Sequence, residues 1–474
     1  MSGRVIAKNS IFLLISSVFQ KLVAFVYFVI LTHNLPADSV GKYSFAFSFA
    51  LIFAVFMDFG TNALLIRETS RNESSMNKYT NNIFFLELLL GVIFISLSIF
   101  AVNLLGYPKV TIQLVTIAIF SVFVDNLTTT FYAVLRGKQQ IWFESIGYAI
   151  YQLIVLTLGF FIVKNGFPLY FLMVPPLIAS IINFIYAFII LYKKTDFRFK
   201  FDFDSVFIKS IVMLALPFAL TGIFTKLYSS LDSLFLSWFS TDENIAYYQA
   251  AFKIVFALQF IPIAIGSATY PAFSKYFKEN KERLINTFEK SFVILSSIAI
   301  PLSFGVFAVS KDFIDFIYPS YTSSILVLQI FSASFFFMFL NSPVGLALSA
   351  CDRQGINTRN SFISMMTNLV LNLILIPKFG ISGAATASVI SFVVLFSMNF
   401  KEARNVVGFK VSYLLKNVLK VLVASLIMFF VVIFFKQYIN FIFVIPIGIM
   451  VYGGLVFLFK IVSLKDIKKL IKKE

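Results

Sequence analysis

Long apolar runs, each broken by a few polar or charged positions, recur from one end of this chain to the other. Many reach about 20 residues, the length of helix that crosses a ~30 Å hydrocarbon layer. The pattern predicts fourteen spans. Six cover roughly 8–33, 39–66, 81–104, 111–135, 142–164 and 168–192. Eight more cover roughly 206–238, 244–274, 288–310, 323–349, 358–377, 382–400, 414–436 and 439–461. The most charged internal connection, Lys193-Lys194-Thr195-Asp196-Phe197-Arg198-Phe199-Lys200, lies between the first six and the next six. This divides the chain into 1–195 with spans one to six, 196–405 with spans seven to twelve, and 406–474 with the last two spans and a basic tail.

The first two divisions resemble each other. Sliding the chain by 205 residues sets Lys226 on Lys21, Leu236 on Leu31, Tyr248 on Tyr43 and Phe252 on Phe47. Lysine at bilayer depth is rare and carries an insertion penalty of roughly 2.5–3.5 kcal/mol, so two in register mark a duplicated bundle around a shared polar path.

Composition supports the membrane reading. Fifty-nine per cent apolar residues, a mean hydropathy of +0.91 and 63 phenylalanines exclude an ordinary soluble domain. The net charge of +17 would point to nucleic acid in a soluble protein, but here it follows the loops. With the N-terminus inside, only Lys42, Lys109, Lys164, Lys311, Lys378 and Lys436 fall outside, and Lys21, Lys226 and Lys253 stay in the membrane. The rest of the 39 lysines and arginines are cytoplasmic, which places both termini inside and requires an even number of spans. The first apolar run lacks a small-residue cleavage site and reads as a retained span. Cys351 alone excludes an internal disulfide, and His33 alone excludes a histidine metal cluster; no cofactor is expected. Asp58-Phe59-Gly60 spells a kinase motif without the other kinase elements. Asn72-Glu73-Ser74 and Asn126-Leu127-Thr128 are sequons on the cytoplasmic side and in a span, and no phosphate-binding glycine loop occurs. The basic tail 465–473 has the spacing of a surface helix or of a solvated, topology-setting end.

The charges at depth are Lys21, Asp58, Glu87, Asp125, Lys226, Asp232 and Lys253. On the first span Ser17, Gln20, Lys21, Ala24 and Tyr27 form one polar or small stripe at helical spacing. On the seventh, Gly222, Thr225, Lys226, Ser229, Asp232, Ser233 and Ser237 form another, and on the eighth Gln249 and Lys253 stand one turn apart. Continuous stripes fit a lined passage. The competing reading is a set of interhelical ion pairs that fix packing, and for Glu87 and Asp125 it is at least as strong. Pro175-Pro176, Pro217, Pro262 and Pro343 interrupt spans and permit bends.

Several strings resemble a known family. Lys8-Asn9, Asp58-Phe59-Gly60 with Arg67-Glu68, and Leu135-Arg136-Gly137 are similar to the Wzx-type polysaccharide flippases. So are Leu216-Pro217-Phe218, Asp232, Ala246 to Lys253, and Asn372 to Ala387 with its Pro377 and Gly380. These flippases belong to the multidrug/oligosaccharidyl-lipid/polysaccharide (MOP) exporter superfamily. The resemblance implies an all-α, MATE/MOP-like polytopic fold: fourteen helices in two pseudo-symmetric six-helix lobes plus two C-terminal helices, working by alternating access. It implies a non-enzymatic carrier of an oligosaccharide on polyprenyl phosphate or pyrophosphate, from the inner to the outer leaflet of the plasma membrane. Lys21, Lys226, Lys253, Gln20 and Gln249 are then the head-group candidates. Asp58, Asp125, Asp232 and Glu87 are partners of those lysines or coupling-ion ligands, and Arg67 and Arg136 sit at the cytoplasmic mouth. The implied partners are the lipid-linked saccharide, the bilayer, and polysaccharide polymerase or glycosyltransferase machinery, around a monomeric protein. A cation-coupled multidrug exporter and a lipid II flippase are the rivals within the superfamily. A membrane glycosyltransferase is disfavoured by the short outer loops.

Overall fold

Backbone amides in hydrocarbon have no water to bond, so an apolar segment must satisfy them within itself, and a helix does so. The structure is a computed structural model that describes residues 3–72, 75–200 and 204–461, with backbone alone at 3–11, 13, 14, 217, 218, 221, 225, 229 and 268. The basic tail, Glu73 and Ser74 of the first sequon, and the side chains of Lys8, Asn9, Pro217, Phe218, Thr225 and Ser229 lie outside that description. Among the described residues there are sixteen α-helices and no strand. The protein is a polytopic, all-helical membrane protein. By length and composition alone, twelve helical stretches among the described residues are fit to cross a bilayer. That tally and the expected fourteen differ at two places. The stretch Gln354–Val407 is broken at Gly380, whose φ of 57° and ψ of −133° are not helical. The helix Ser205–Phe239 has a described apolar stretch only over Ser205–Leu216.

The chain forms two compact units. The first runs up to Gln249 and includes Asn372–Gly380. It holds α1 (Gly3–Asn34), α2 (Ala37–Asp58), α3 (Thr61–Arg71), α4 (Met76–Leu104), α5 (Lys109–Gly137), α6 (Trp142–Lys164), α7 (Val174–Lys194), α8 (Ser205–Phe239) and the start of α9 (Asp242–Ala257). Here α5 packs on α2, α3, α4 and α7, α1 lies on α6, and α8 lies along α2 and α3. The helices expose apolar side chains and bury polar ones among apolar neighbours. On α4, Val92, Phe100 and Leu104 are exposed while Thr80, Asn82 and Glu87 are buried. This inverts the soluble pattern and suits a lipid surround.

The charged connection after α7 is bound down. Asn77 Nδ2 donates to Asp196 O (3.0 Å) and its Oδ1 accepts from Arg198 N (2.9 Å). Asn81 repeats the pairing with Arg198 O (3.0 Å) and Lys200 N (3.4 Å), and Asn82 Oδ1 accepts from Asp204 N (3.0 Å). Asparagine amides thus stand in for a neighbouring strand. Phe197 and Phe199 join an aromatic cluster with Phe84, Phe131 and Phe188.

The second unit comprises Ala250–Leu371 and the chain from Ile381 on. It holds the end of α9, α10 (Phe260–Glu279), α11 (Lys281–Ile317), α12 (Ser324–Ser332), α13 (Ser334–Ala350), most of α14 (Gln354–Val407), α15 (Val411–Lys436) and α16 (Phe441–Leu458). α11 is its axis and packs on α10, α12, α13, α15 and α16. A buried seam links the two halves of α14. Asn360 Nδ2 donates to Asn399 Oδ1 (2.8 Å), and Ser364 Oγ donates to Ser391 O (2.8 Å). Asn399 Nδ2 also reaches Asn341 and Asn357, each at 3.0 Å.

The second predicted span is not continuous: it stops at Asp58 and restarts as α3. Pro175 and Pro176 open α7 after a 3₁₀ turn at Leu169–Met173, and Pro262 lies in the first turn of α10. Proline is tolerated there because a first-turn N–H has no helical partner to lose. These prolines start helices instead of bending them, whereas Pro343 does lie inside α13.

Candidate functional site

The break between α2 and α3 shapes a cavity whose walls mix charges with small residues. Phe59 (φ 42°) and Gly60 (φ 72°) are both left-handed and turn the chain sharply. Gly60 meets two demands at once. Its φ suits glycine, and a Cβ there would lie 2.3 Å from Ala219 N and 2.8 Å from Ala215 O on α8. Asp58 then closes the exposed N-terminus of α3. Its Oδ1 accepts from Asn62 N (3.3 Å) and Asn62 Nδ2 (2.8 Å), while Thr61 Oγ1 donates toward Asp58 O (2.5 Å). A carboxylate is favoured here by the first-turn amides and the helix dipole. Behind it Glu87 is fully buried, with one oxygen 2.6 Å from Thr61 Oγ1 and the other bonded by Thr130 Oγ1.

The cavity encloses about 260 Å³. Asp58, Asn62, Arg136 and Lys226 supply its polar wall, Val55, Ile66 and Ile223 its apolar wall, and Ala63, Ala219 and Gly222 leave room. Gly222 and Lys226 are one turn apart on α8, so part of the predicted stripe does line a hollow. Arg136 is gripped by Glu144: Nε donates to Oε2 at 2.6 Å and Nη2 bonds Oε1. Arg136 is in the last turn of α5 and Glu144 in the first turn of α6, the helix ends that favour each charge. Gly137 lets this end approach α3, since a Cβ there would lie 2.8 Å from Thr69 Cβ. Chemically the site offers a lysine ammonium, an arginine edge, an amide and a capped carboxylate. Of these, the ammonium, the guanidinium and the amide have the chemistry to bind and orient a polar anion.

The other predicted residues are placed elsewhere. Lys21 is half-buried on α1 and is not in the lining of this cavity; Gln20 beside it donates to Ser16 Oγ (2.8 Å). Arg67 Nε donates to Glu68 Oε1 (2.8 Å). Asp125 is half-buried on α5, and its Oδ1 has no hydrogen-bond partner. Asp232 is 2 % exposed; it accepts from Tyr248 OH and from Asn372 Nδ2 (2.6 Å), inside the first unit. Gln249 is buried and donates to Ser233 Oγ (2.7 Å), tying α9 to α8. Lys253 is half-buried in the second unit.

Sequence reasoning passed over Asn62, Thr61, Thr130 and Glu144. The available signal was weak: Asn62 stands one helical turn after Asp58, and Glu144 follows Arg136 across a short polar turn. The asparagine seam of α14 had a clearer one. Asn360, Ser364, Asn368 and Asn372 recur every fourth residue of an apolar helix.

Residues 6–277 match the family described as polysaccharide biosynthesis protein, and residues 217–377 match the MatE family. Over 411 residues the chain is 23% identical to the probable low-salt glycan biosynthesis flippase Agl15 of Haloferax volcanii, covering 86% of this chain and 85% of that one. A solved structure of lipid II flippase MurJ in an inward closed conformation superposes with a TM-score of 0.79 at 18% identity, over 97% of this chain and 99% of that chain. An inward-facing multidrug resistance MATE family transporter of the MOP superfamily gives 0.68 at 16% identity, over 84% and 96%. At such identities the two structures speak to fold, while the first family match spans more than half of the sequence. The chain belongs to the polysaccharide biosynthesis protein family.

Proposed function

We propose that this protein is a flippase that carries a lipid-linked oligosaccharide from the cytoplasmic to the outer leaflet of the plasma membrane by alternating access, without catalysing a reaction. The observation that carries the reading is the cavity at the α2–α3 break, where Lys226 lines a hollow with Arg136, Asn62 and Asp58 in a chain of this family. Lys226 binds the phosphate of the head group through a charge-assisted hydrogen bond. Lys21 and Lys253, with Gln20 and Gln249, extend the polar path in the two repeats. Asp125, Asp232 and Glu87 serve as partners for its cations or for a coupling ion, and Arg67 joins Arg136 at the cytoplasmic mouth. The charge pattern of the loops supports cytoplasmic termini. The protein works as a monomer beside the polymerase or glycosyltransferase machinery that uses its cargo. Agl15, named a probable glycan biosynthesis flippase, supports this over a multidrug exporter.

The test is purified protein in liposomes, offered a lipid-linked saccharide, lipid II and a cationic drug in separate arms. Movement of the saccharide is expected. Lys226→Ala should weaken head-group binding ten- to hundredfold, from a loss of about 1.5–3 kcal/mol for a hydrogen bond to a charged group. Movement of only the drug, or unchanged transport by Lys226→Ala, defeats the reading.

A further inference from the structure

Glu87 is sealed behind the α2–α3 turn, and the hydrogens around it can be counted. Glu87, Thr61 and Thr130 are all fully buried. Glu87 Oε1 lies 2.6 Å from Thr61 Oγ1, and its Oε2 is bonded by Thr130 Oγ1. Thr61 Oγ1 has a second short neighbour, Asp58 O at 2.5 Å. Oxygens this close need a hydrogen between them, and one hydroxyl hydrogen cannot lie on the line to both Asp58 O and Glu87 Oε1. Backbone carbonyls and ionised carboxylates only accept. Thr61 therefore gives its hydrogen to Asp58 O, and Thr130 gives its own to Glu87 Oε2. The remaining hydrogen, between Thr61 Oγ1 and Glu87 Oε1, is carried by Glu87, for which Thr61 keeps free lone pairs.

We infer that Glu87 is a proton-binding site, uncharged in this arrangement and donating to Thr61, and that it exchanges its proton with the cavity through Thr61 and Asp58. The inference rests on the flippase reading for its purpose and deepens it, naming a proton as the ion that Glu87 takes. Of the helices packed on α4, α2 brings Asp58 and α8 brings Lys226 within electrostatic reach of Glu87; α3 and α5 bring the two hydroxyls. Asp58 opposes a charge on Glu87 and Lys226 favours one, so the two carboxyls and the lysine act on one another across the turn. The relay is short. The Glu87 O–H bond breaks as Thr61 Oγ1 takes the proton, and Thr61 passes its own hydrogen to Asp58 Oδ1, 3.3 Å away. Asp58 is half-buried and lines the cavity, where it hands the proton to solvent. Thr61 then points its hydrogen at the Glu87 carboxylate, and the carbonyl of Asp58, the last residue of α2, loses that hydrogen bond. Proton loss thereby loosens the turn that shapes the cavity.

The experiment is infrared difference spectroscopy on the full chain in detergent at neutral pH, parent against Glu87→Gln, in water and after transfer to heavy water. No cargo is present, so its outcome is separate from that of the transport assay. The parent should show a carboxylic-acid carbonyl band that Glu87→Gln lacks. Loss of carboxylate bands alone on that substitution overturns the inference and leaves the flippase reading standing. The relay sets the rate at which the acid band shifts in heavy water. Thr61→Val should slow it at least about tenfold, an added barrier of about 1.4 kcal/mol, and Thr61→Ser should leave it near the parent rate. Asp58→Asn, which keeps an acceptor for Asn62 but cannot take a proton, should slow it similarly and decides the matter if Thr61→Val does not fold. An unchanged rate in Asp58→Asn overturns the relay.

Discussion

Replacing Gly60 by alanine tests the packing that creates the cavity, and its effect can be worked from two separate terms. The first is conformational: Gly60 sits at φ 72°, where a Cβ costs roughly 1–2 kcal/mol. The second is steric: the new Cβ would lie 2.3 Å from Ala219 N and 2.8 Å from Ala215 O, both backbone atoms of α8 that cannot swing aside. Forcing them apart is an overpacking change, typically 1–3 kcal/mol. Gly60→Ala should therefore destabilise the protein by about 2–5 kcal/mol. Two other glycines separate the terms. Gly106 also has φ 72° but nothing within 4 Å of where a methyl group would stand, so Gly106→Ala should cost only the first term. Gly222 lies in a helix with open space around it, so Gly222→Ala should be neutral or stabilising by up to ~1 kcal/mol. The assay is thermal unfolding of the three variants in one detergent, alongside head-group binding. If Gly60→Ala matched Gly106→Ala, α8 would not press on the 58–60 turn, and the account of how the cavity forms would be wrong.

Three further outcomes follow from the same structure. Glu87→Gln keeps an acceptor and a polar partner for Thr61 and Thr130 and should unfold near the parent temperature; Glu87→Leu strands the Thr130 hydroxyl, while Thr61 keeps its bond to Asp58 O, and should cost about 1–3 kcal/mol, and equal unfolding temperatures would refute this. Asn77→Ala and Asn81→Ala should speed hydrogen exchange at the amides of Arg198 and Lys200 respectively, while unchanged exchange would mean the connection is held by its phenylalanines alone. Asp204 caps α8, and the Phe207 amide, helped by Lys78, holds its carboxyl below the ordinary aspartate range. A depressed value stabilises the folded state above the unfolded pKa of ~3.9 and loses that contribution as pH falls through the native value. The protection factor of the Phe207 amide, its exchange measured against the intrinsic rate at each pH, should fall on acidification in the parent chain and lose that dependence in Asp204→Asn.

The chain's pattern of apolar runs sufficed to establish a helical, polytopic membrane protein, because hydrocarbon leaves the backbone no other way to satisfy its amides over twenty residues. The strings around Asp58, Arg136 and Pro377 sufficed for the family. Hydropathy also set the depth of Lys226, and helical spacing put Gly222 on its face. Neither could sort the carboxylates. Asp58, Glu87 and Asp232 look alike in sequence, yet one lines a cavity, one is sealed between threonines, and one is bound by Tyr248 and Asn372 from distant segments. The same holds for the helix break: an apolar run through Phe59-Gly60 reads as one span until α8 is seen to lie where only glycine fits. Depth and periodicity are properties of a single helix, whereas a cavity is a property of which helices approach, how closely, and which side chains are left facing the gap. Those choices are made by contacts between different helices, such as Gly60 against Ala219 and Asn372 on Asp232, and they became visible only with the tertiary structure.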